Sequence, residues 1–430
     1  MTLGWFQIVR LGLVQLCLGA VVVLTTSTLN RLMVVELALP AVLPGTLVAL
    51  HYGIQITRPG WGLRSDLHGS RSGLIVGGMA VLCLGAFLAA LAVTIMGQTL
   101  WLGLSLAVLA YALIGLGVGA SGTTLLALLA QATAPERRAA AATITWLMMI
   151  FGIAVTAGTV GSLLDPYSPA RLLWIVGGVT SGAVLLTAVA IAGIERRFAP
   201  GRPPSEHAPG IRHGLAEVLA EPKARAFTLF IFLSMTAYFL QELILEPYAG
   251  LVFGFTPGES TRLSGAQNGG VFLGMLLVGI AVSGLGLGSL RAWVTVGCLG
   301  SAASLVAISA IGFAGQGPFL PAVVLLGFFN GVFAVAAIGA MMALAGAGRS
   351  SREGTRMGLW GAAQAIAAGF GGLLGTVLAD ILRWILPDVA AFGAVFLFEA
   401  GLFLVAALMA LRIIAAGPVK LPAPTVIAGE

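Results

Sequence analysis

The chain has 430 residues, of which 59% are hydrophobic and 9% charged, with a formal net charge of +6 and a mean hydropathy of +1.03. Soluble domains carry about 25% charged residues, so this composition excludes a soluble enzyme and describes a polytopic membrane protein. Its basic residues lie in short loops, as membrane orientation requires, which removes the nucleic-acid reading of a positive balance.

Cutting the apolar runs at charges, prolines and glycine turns predicts a first span over Val9–Asn30 and a second over Leu37–Thr57. A bilayer core about 30 Å thick takes roughly 20 residues of helix. The initial run is too long for a cleavable signal and shows no small-residue cleavage site. Ser72–Pro135 has no charged residue and holds two spans with a turn near Met96–Thr99; a fifth covers Ala139–Leu164 and a sixth Leu172–Ile194. Glu195–Arg225 is polar, proline-rich and basic, and reads as the one linker. A seventh span covers Ala226–Leu245 and an eighth Leu263–Leu290; two more share Ala292–Gly348, and the last pair covers Met357–Leu382 and Val389–Leu411. The expected fold is all-α, with twelve transmembrane helices in two pseudo-symmetric six-helix bundles. The expected division is residues 1–194, a linker 195–225, and residues 226–430 with a short tail.

Eighteen Lys and Arg fall on the linker side of these spans and four, Arg31, Arg171, Arg262 and Arg383, on the other. The positive-inside rule then places both termini and the linker in the cytoplasm. Cys17, Cys83 and Cys298 all lie within spans, so they read as small core residues with no metal or disulfide spacing. Sixty glycines predict closely packed helices, because small residues let backbones approach.

The two halves match at an offset of 214 residues: Arg138 with Arg352, Trp146 with Trp360, Gly158 with Gly372 and Gly161 with Gly375, while Asp165 falls one residue from the counterpart of Asp380. Glu36-Leu-Ala-Leu-Pro40 likewise resembles Glu242-Leu-Ile-Leu-Glu246-Pro247. Parallel six-helix repeats joined by a cytoplasmic linker describe the major facilitator architecture. The loop after the second span resembles that superfamily's signature through Gly62, Asp66, Gly69 and Arg71. Gly permits close approach of helix ends, and an Asp caps a helix start or pairs with Arg. Leu67 and Ser70 stand where the signature has basic residues.

Ionisable groups inside a membrane cost on the order of 2.5–3.5 kcal/mol each by insertion scales, so they are candidate functional groups. They are Glu36, Glu242, Glu246, Asp380 and Glu399, with His51 the only histidine in any span. Glu36, Glu242 and Glu246 recur beside prolines, which free backbone carbonyls. Asp380 and Glu399 read first as interfacial ends or inter-helix hydrogen bonds. A neutral His51 suits either a hydrogen bond to a neighbouring helix or a metal, including the magnesium of a chlorophyll-type macrocycle. The chain has no Walker loop, Gly-x-Ser-x-Gly elbow, His-Glu-x-x-His or Cys-x-x-Cys pair, so neither a nucleotide nor these hydrolytic chemistries are expected.

Thr25–Asp66, above all Arg31-Leu-Met-Val-Val-Glu36-Leu-Ala-Leu-Pro40, resembles the PucC/LhaA family of phototrophic bacteria, a branch of the major facilitator superfamily. Gln241-Glu242-Leu-Ile-Leu-Glu246-Pro-Tyr248 is similar to that family's second signature. The resemblance implies a non-enzymatic factor of the bacterial inner (intracytoplasmic photosynthetic) membrane. Such a factor would bind bacteriochlorophyll a or a late precursor and pass it to light-harvesting antenna polypeptides. Late bacteriochlorophyll-synthesis enzymes are further expected partners, with membrane lipid around the bundle. The implied pigment or partner residues are Arg31, Glu36, His51, Gln241, Glu242, Glu246 and Tyr248, with His51 as axial ligand to magnesium. A proton-coupled transporter of a small amphipathic solute and a pigment-free scaffold are the alternatives.

Overall fold

A computed structural model of the chain describes residues 3–58, 60–61, 71–134, 137–194, 220–346 and 353–414. The described residues form helices α1 (Trp5–Glu36), α2 (Val42–Ile54), α3 (Arg71–Met96), α4 (Leu100–Ala132), α5 (Arg138–Leu164) and α6 (Pro169–Ile191), then α7 (Pro222–Leu240), α8 (Leu245–Phe253), α9 (Pro257–Val278), α10 (Leu290–Ala314), α11 (Phe319–Gly346), α12 (Glu353–Arg383) and α13 (Asp388–Ile413). Among the described residues, eleven crossings are long and apolar enough to span a bilayer, with α7 and α8 together making one of them. The second expected span corresponds to α2, which has 13 residues, gains one 3₁₀ turn through Thr57 and is shorter than these eleven.

The boundaries move for local reasons. The first helix runs on through Arg31 to Glu36 because both groups find partners. The second starts at Val42 rather than Leu37: Ala38 sits at φ 50, a left-handed conformation uncommon for a residue with a Cβ, and Pro40 follows. The eighth expected span begins six residues earlier, at Pro257, where Thr256 builds a capping box. Its hydroxyl accepts from Glu259 N at 3.1 Å, and Glu259 Oε2 accepts from Thr256 N at 2.9 Å, satisfying two donors that a helix start leaves unpaired. Gly62, Asp66 and Gly69 of the loop signature lie outside the described residues, as do 195–219 of the expected linker; Arg71 opens α3.

Two apolar cores result. One is built from residues between Leu3 and Ile194, joined by Leu243 of the other half, the other from residues between Phe227 and Ile414. The halves meet most extensively along α5 against α9 and α2 against α12, and α1 also touches α8 and α9. The residues matched by sequence are not in matched surroundings. Trp360 is fully buried in the second core, 4.8 Å from Phe227, with its indole N–H donated to Thr228 at 3.1 Å. Trp146 is half-buried at the α5–α9 seam, beside Ile150, Val271 and Met275.

Candidate functional site between the halves

The site begins in two interrupted helices. α1 widens into π turns at Leu24–Thr28 and Leu32–Glu36, a distortion that recurs at functional positions. Opposite it, the chain leaves helical geometry between α7 and α8, at Gln241–Ile244. Pro247 has no N–H, so the carbonyl four residues back, Leu243, loses its helical donor. Asn30 Nδ2 donates to that carbonyl at 2.7 Å, while the Leu243 side chain enters the core of the first half. A break in one half is thus satisfied by a side chain of the other.

Arg31 follows one residue on, 2% exposed. Its Nη1 donates to Glu36 at 2.5 Å and its Nη2 to the Phe255 carbonyl at 2.6 Å, in the turn between α8 and α9. A buried guanidinium is tolerable only when its N–H groups are taken up this way. Tyr167, in the α5–α6 turn, interacts with Glu36 and Arg31; burial first, and the Glu36 charge second, push its phenol above the ordinary range.

The acids of the second half reach the same stretch of α1. Ser27 donates its hydroxyl to Glu246 Oε1, and the Thr28 and Thr261 hydroxyls lie 3.3 Å apart. The Ser260 and Ser264 hydroxyls and the Arg31 charge also face Glu246, yet its Oε2 makes no hydrogen bond. One turn earlier, the Thr26 hydroxyl, which donates to the Val22 carbonyl at 3.3 Å, also faces Glu242, and Glu242 interacts with the phenol groups of Tyr52 and Tyr238. The Tyr52 ring, from α2, stands 6.2 Å from Phe239 of α7. Arg31, Glu36, Gln241, Glu242 and Glu246 therefore belong to one polar seam between the halves.

Two expected members sit apart. Tyr248 is buried in the second core among Phe253, Phe319, Phe392 and Phe396, with its hydroxyl donated to the Ile308 carbonyl at 3.3 Å. His51 is buried on α2, its backbone packed on Gly115 of α4 and its ring 4.8 Å from that of Tyr52. Its Nδ1 has no hydrogen-bond partner. Glu399 is fully buried on α13 with neither carboxyl oxygen partnered, so it makes no inter-helix hydrogen bond; Asp380 makes two.

Sequence reasoning missed Ser27, Asn30, Tyr52 and Tyr238. A signal existed for the first two, since positions 27, 30 and 31 share one helical face, and polar groups there point inward in a membrane. In the seam, Asn30 Oδ1, Arg31 Nε, Gln241 Oε1 and Glu246 Oε2 are buried without partners. Buried polar atoms are rarely left so, and four along two facing crossings give the seam capacity to hold polar groups of a ligand or water.

The fold is that of the major facilitator transporters. A D-xylose–proton symporter superposes with a TM-score of 0.74 at 15% identity, over 96% of this chain and 98% of the other. A bacterial homologue of the lysosomal transporter Spinster, inward-facing and occupied, gives 0.70 at 13% identity over 95% and 96%. Within that class the chain belongs to the PUCC protein family, which matches residues 28–417. It is 70% identical, over the full length of both chains, to the bacteriochlorophyll synthase 44.5 kDa chain of Rhodobacter capsulatus. It is 31% identical to protein PucC of Cereibacter sphaeroides, over 92% of this chain and 89% of the other. Family and fold point to a non-enzymatic, multi-pass membrane protein, although one relative bears the name of a synthase chain.

Proposed function

We propose that this protein serves the photosynthetic membrane as an assembly factor that binds bacteriochlorophyll, or a late precursor, and delivers it to light-harvesting antenna polypeptides. Late pigment-synthesis enzymes are its proposed suppliers, and both termini are proposed to face the cytoplasm of the inner membrane. The observation that carries this reading is the full-length likeness to a relative named for bacteriochlorophyll synthesis, within the PUCC family. The seam supports it physically: it combines unpartnered polar atoms with the aromatic side chains of Tyr52, Phe239 and Tyr238, a lining suited to a large, mostly apolar molecule with a few polar groups.

The donor set fits such a pigment at one further point. His51 Nδ1 is buried and accepts no hydrogen bond, which leaves a neutral imidazole nitrogen free for a metal. When bound, the pigment supplies the magnesium that takes that ligand. Arg31 Nε, the unpartnered donor of the seam, would orient a pigment oxygen, and the two cores would exclude water from it.

The test is to purify the protein gently from a phototrophic host and record its near-infrared spectrum. A stoichiometric bacteriochlorophyll band, reduced in a folded His51→Leu variant, is the expected result. A colourless protein that still retains antenna polypeptides would replace delivery with scaffolding, and an unchanged band in the variant would remove His51 as ligand. A second reading, proton-coupled transport of an amphipathic solute, is favoured by one observation, the buried Glu246 carboxyl between the halves with its Oε2 unpartnered. Colourless protein that takes up protons with a solute in vesicles would establish it.

A further inference from the structure

The last turns of α2 and the residues just after it carry a graded set of polar groups. His51, Gln55 and Arg58 stand at i, i+4 and i+7, so they share one helical face. Exposure rises along that face: His51 is 1% exposed and Gln55 6%, whereas Arg58 is exposed. The guanidinium is tied back toward the helix, with Nη2 donating to Gln55 Oε1, and its charge acts on the His51 ring and the Tyr52 hydroxyl. Among the described residues no carboxylate pairs with it.

Neighbouring helices fix this face in place. A Cβ on Gly115 of α4 would meet the His51 carbonyl at 2.7 Å, and one on Gly119, a turn later, would meet the Trp61 ring at 3.3 Å. A Cβ on Gly369 of α12 would meet Tyr52 Cβ at 3.2 Å. α2 is therefore held between α4 and α12, and His51 and Arg58 keep a separation of two turns, about 10 Å along the axis. The buried end offers an imidazole nitrogen without a hydrogen bond. The wet end offers a guanidinium of which Gln55 takes up only one of five N–H donors. The two together suit a disc with a metal at its centre and a carboxylate at its rim, since Arg grips a carboxylate through two parallel donors.

We propose that Arg58 pairs with a free carboxylate on the rim of a magnesium macrocycle ligated by His51, so that the cargo is the acid form of the pigment and not its long-chain ester. This rests on the pigment-binding reading above and selects, of the two cargoes named there, the precursor. Once esterified, the rim group has no charge for Arg58, and the guanidinium is left to water. Esterification of that carboxyl with a long-chain alcohol is then the class of reaction that consumes the delivered molecule. Gln55 is a positioning residue, which holds the guanidinium over the face that His51 occupies.

The experiment titrates the full-length protein in detergent with bacteriochlorophyllide a, the free acid, and with its methyl ester, which keeps the macrocycle and magnesium and lacks the charge. Binding is read from the shift of the near-infrared band. The acid should bind about tenfold more tightly, the lower end of what a charged hydrogen bond contributes because Arg58 is open to water. Added salt should shrink that preference. Arg58→Gln can still donate to Gln55; it should weaken binding of the acid about tenfold and leave the ester unchanged. Arg58→Lys should recover part of the loss, and Gln55→Ala should weaken binding of the acid alone. His51→Leu should weaken both pigments alike. Equal affinities for acid and ester in the parent, or an Arg58→Gln variant that keeps the preference, would overturn the carboxylate pairing while pigment binding stands. Binding of neither pigment would instead overturn the pigment reading, and this inference with it. Circular dichroism and size exclusion check the fold of each variant. Should Arg58→Gln misfold, the salt titration of the parent decides, and a preference for the acid that salt leaves unchanged refutes the pairing.

Discussion

Arg31 gives the sharpest test of how the seam is held together. Arg31→Ala removes a charged hydrogen bond to the Phe255 carbonyl, made at 2.6 Å by a side chain 3% exposed. Such bonds contribute about 1.5–3 kcal/mol. It also removes the pair with Glu36, but that carboxylate's side chain is 40% exposed, so water receives it and the pair adds only about 0–1 kcal/mol. The 3–5 kcal/mol penalty typical of breaking a fully buried pair does not apply, and the sum is about 2–4 kcal/mol. For a bundle of this size 1 kcal/mol corresponds to about 2–4 °C, so the melting temperature in detergent should fall by roughly 5–15 °C. Tryptophan fluorescence and the monodisperse fraction after heating would both report it. Arg31→Lys should recover about half, because an ammonium reaches one partner where the guanidinium fork reaches two. Glu36→Gln should cost less than about 1 kcal/mol. If Arg31→Ala melts within about 2 °C of the parent, a shift below 1 kcal/mol, or if Glu36→Gln destabilises as much as it does, this account of the seam is wrong.

Other substitutions probe separate parts of the structure. Asn30→Leu should leave the Leu243 carbonyl without a donor and cost about 1–3 kcal/mol, read in the same melting assay; a neutral result would mean that water replaces the amide. Glu399→Leu should raise stability by about 1–3 kcal/mol, because a carboxyl without partners in an apolar core is replaced by a side chain that packs. A lower melting temperature would show that Glu399 has a partner. Trp360→Ala should be among the most damaging core changes, at about 3–5 kcal/mol, since it loses the Phe227 contact and the bond to Thr228. Gly45→Val should force α2 from Thr376 of α12 and destabilise by about 1–3 kcal/mol, whereas the same change at Gly53, which has nothing within 4 Å, should be tolerated.

The membrane class, the crossings and the acids of the seam could be read from the chain alone. Transfer of apolar residues into lipid is close to a sum over single residues, so runs such as Ser72–Pro135 announce helices without reference to anything distant. The same locality makes Arg31, Glu36, Glu242 and Glu246 conspicuous, since each breaks a run whose other members favour lipid. Helix ends were less legible. Whether α1 stops at Asn30 or continues to Glu36 depends on the Phe255 carbonyl, 224 residues away. The destinations of the polar groups came only from tertiary structure. Glu246 and Tyr248 stand two residues apart in one signature, yet one faces Ser27 across the seam and the other is enclosed by four phenylalanines. Asp165 and Asp380 occupy similar places in their halves, and only the packed seams show that each caps a helix of the other. A hydrogen bond depends on distance and angle between groups that the chain brings together from hundreds of residues apart, and neither quantity is a property of one residue or its neighbours.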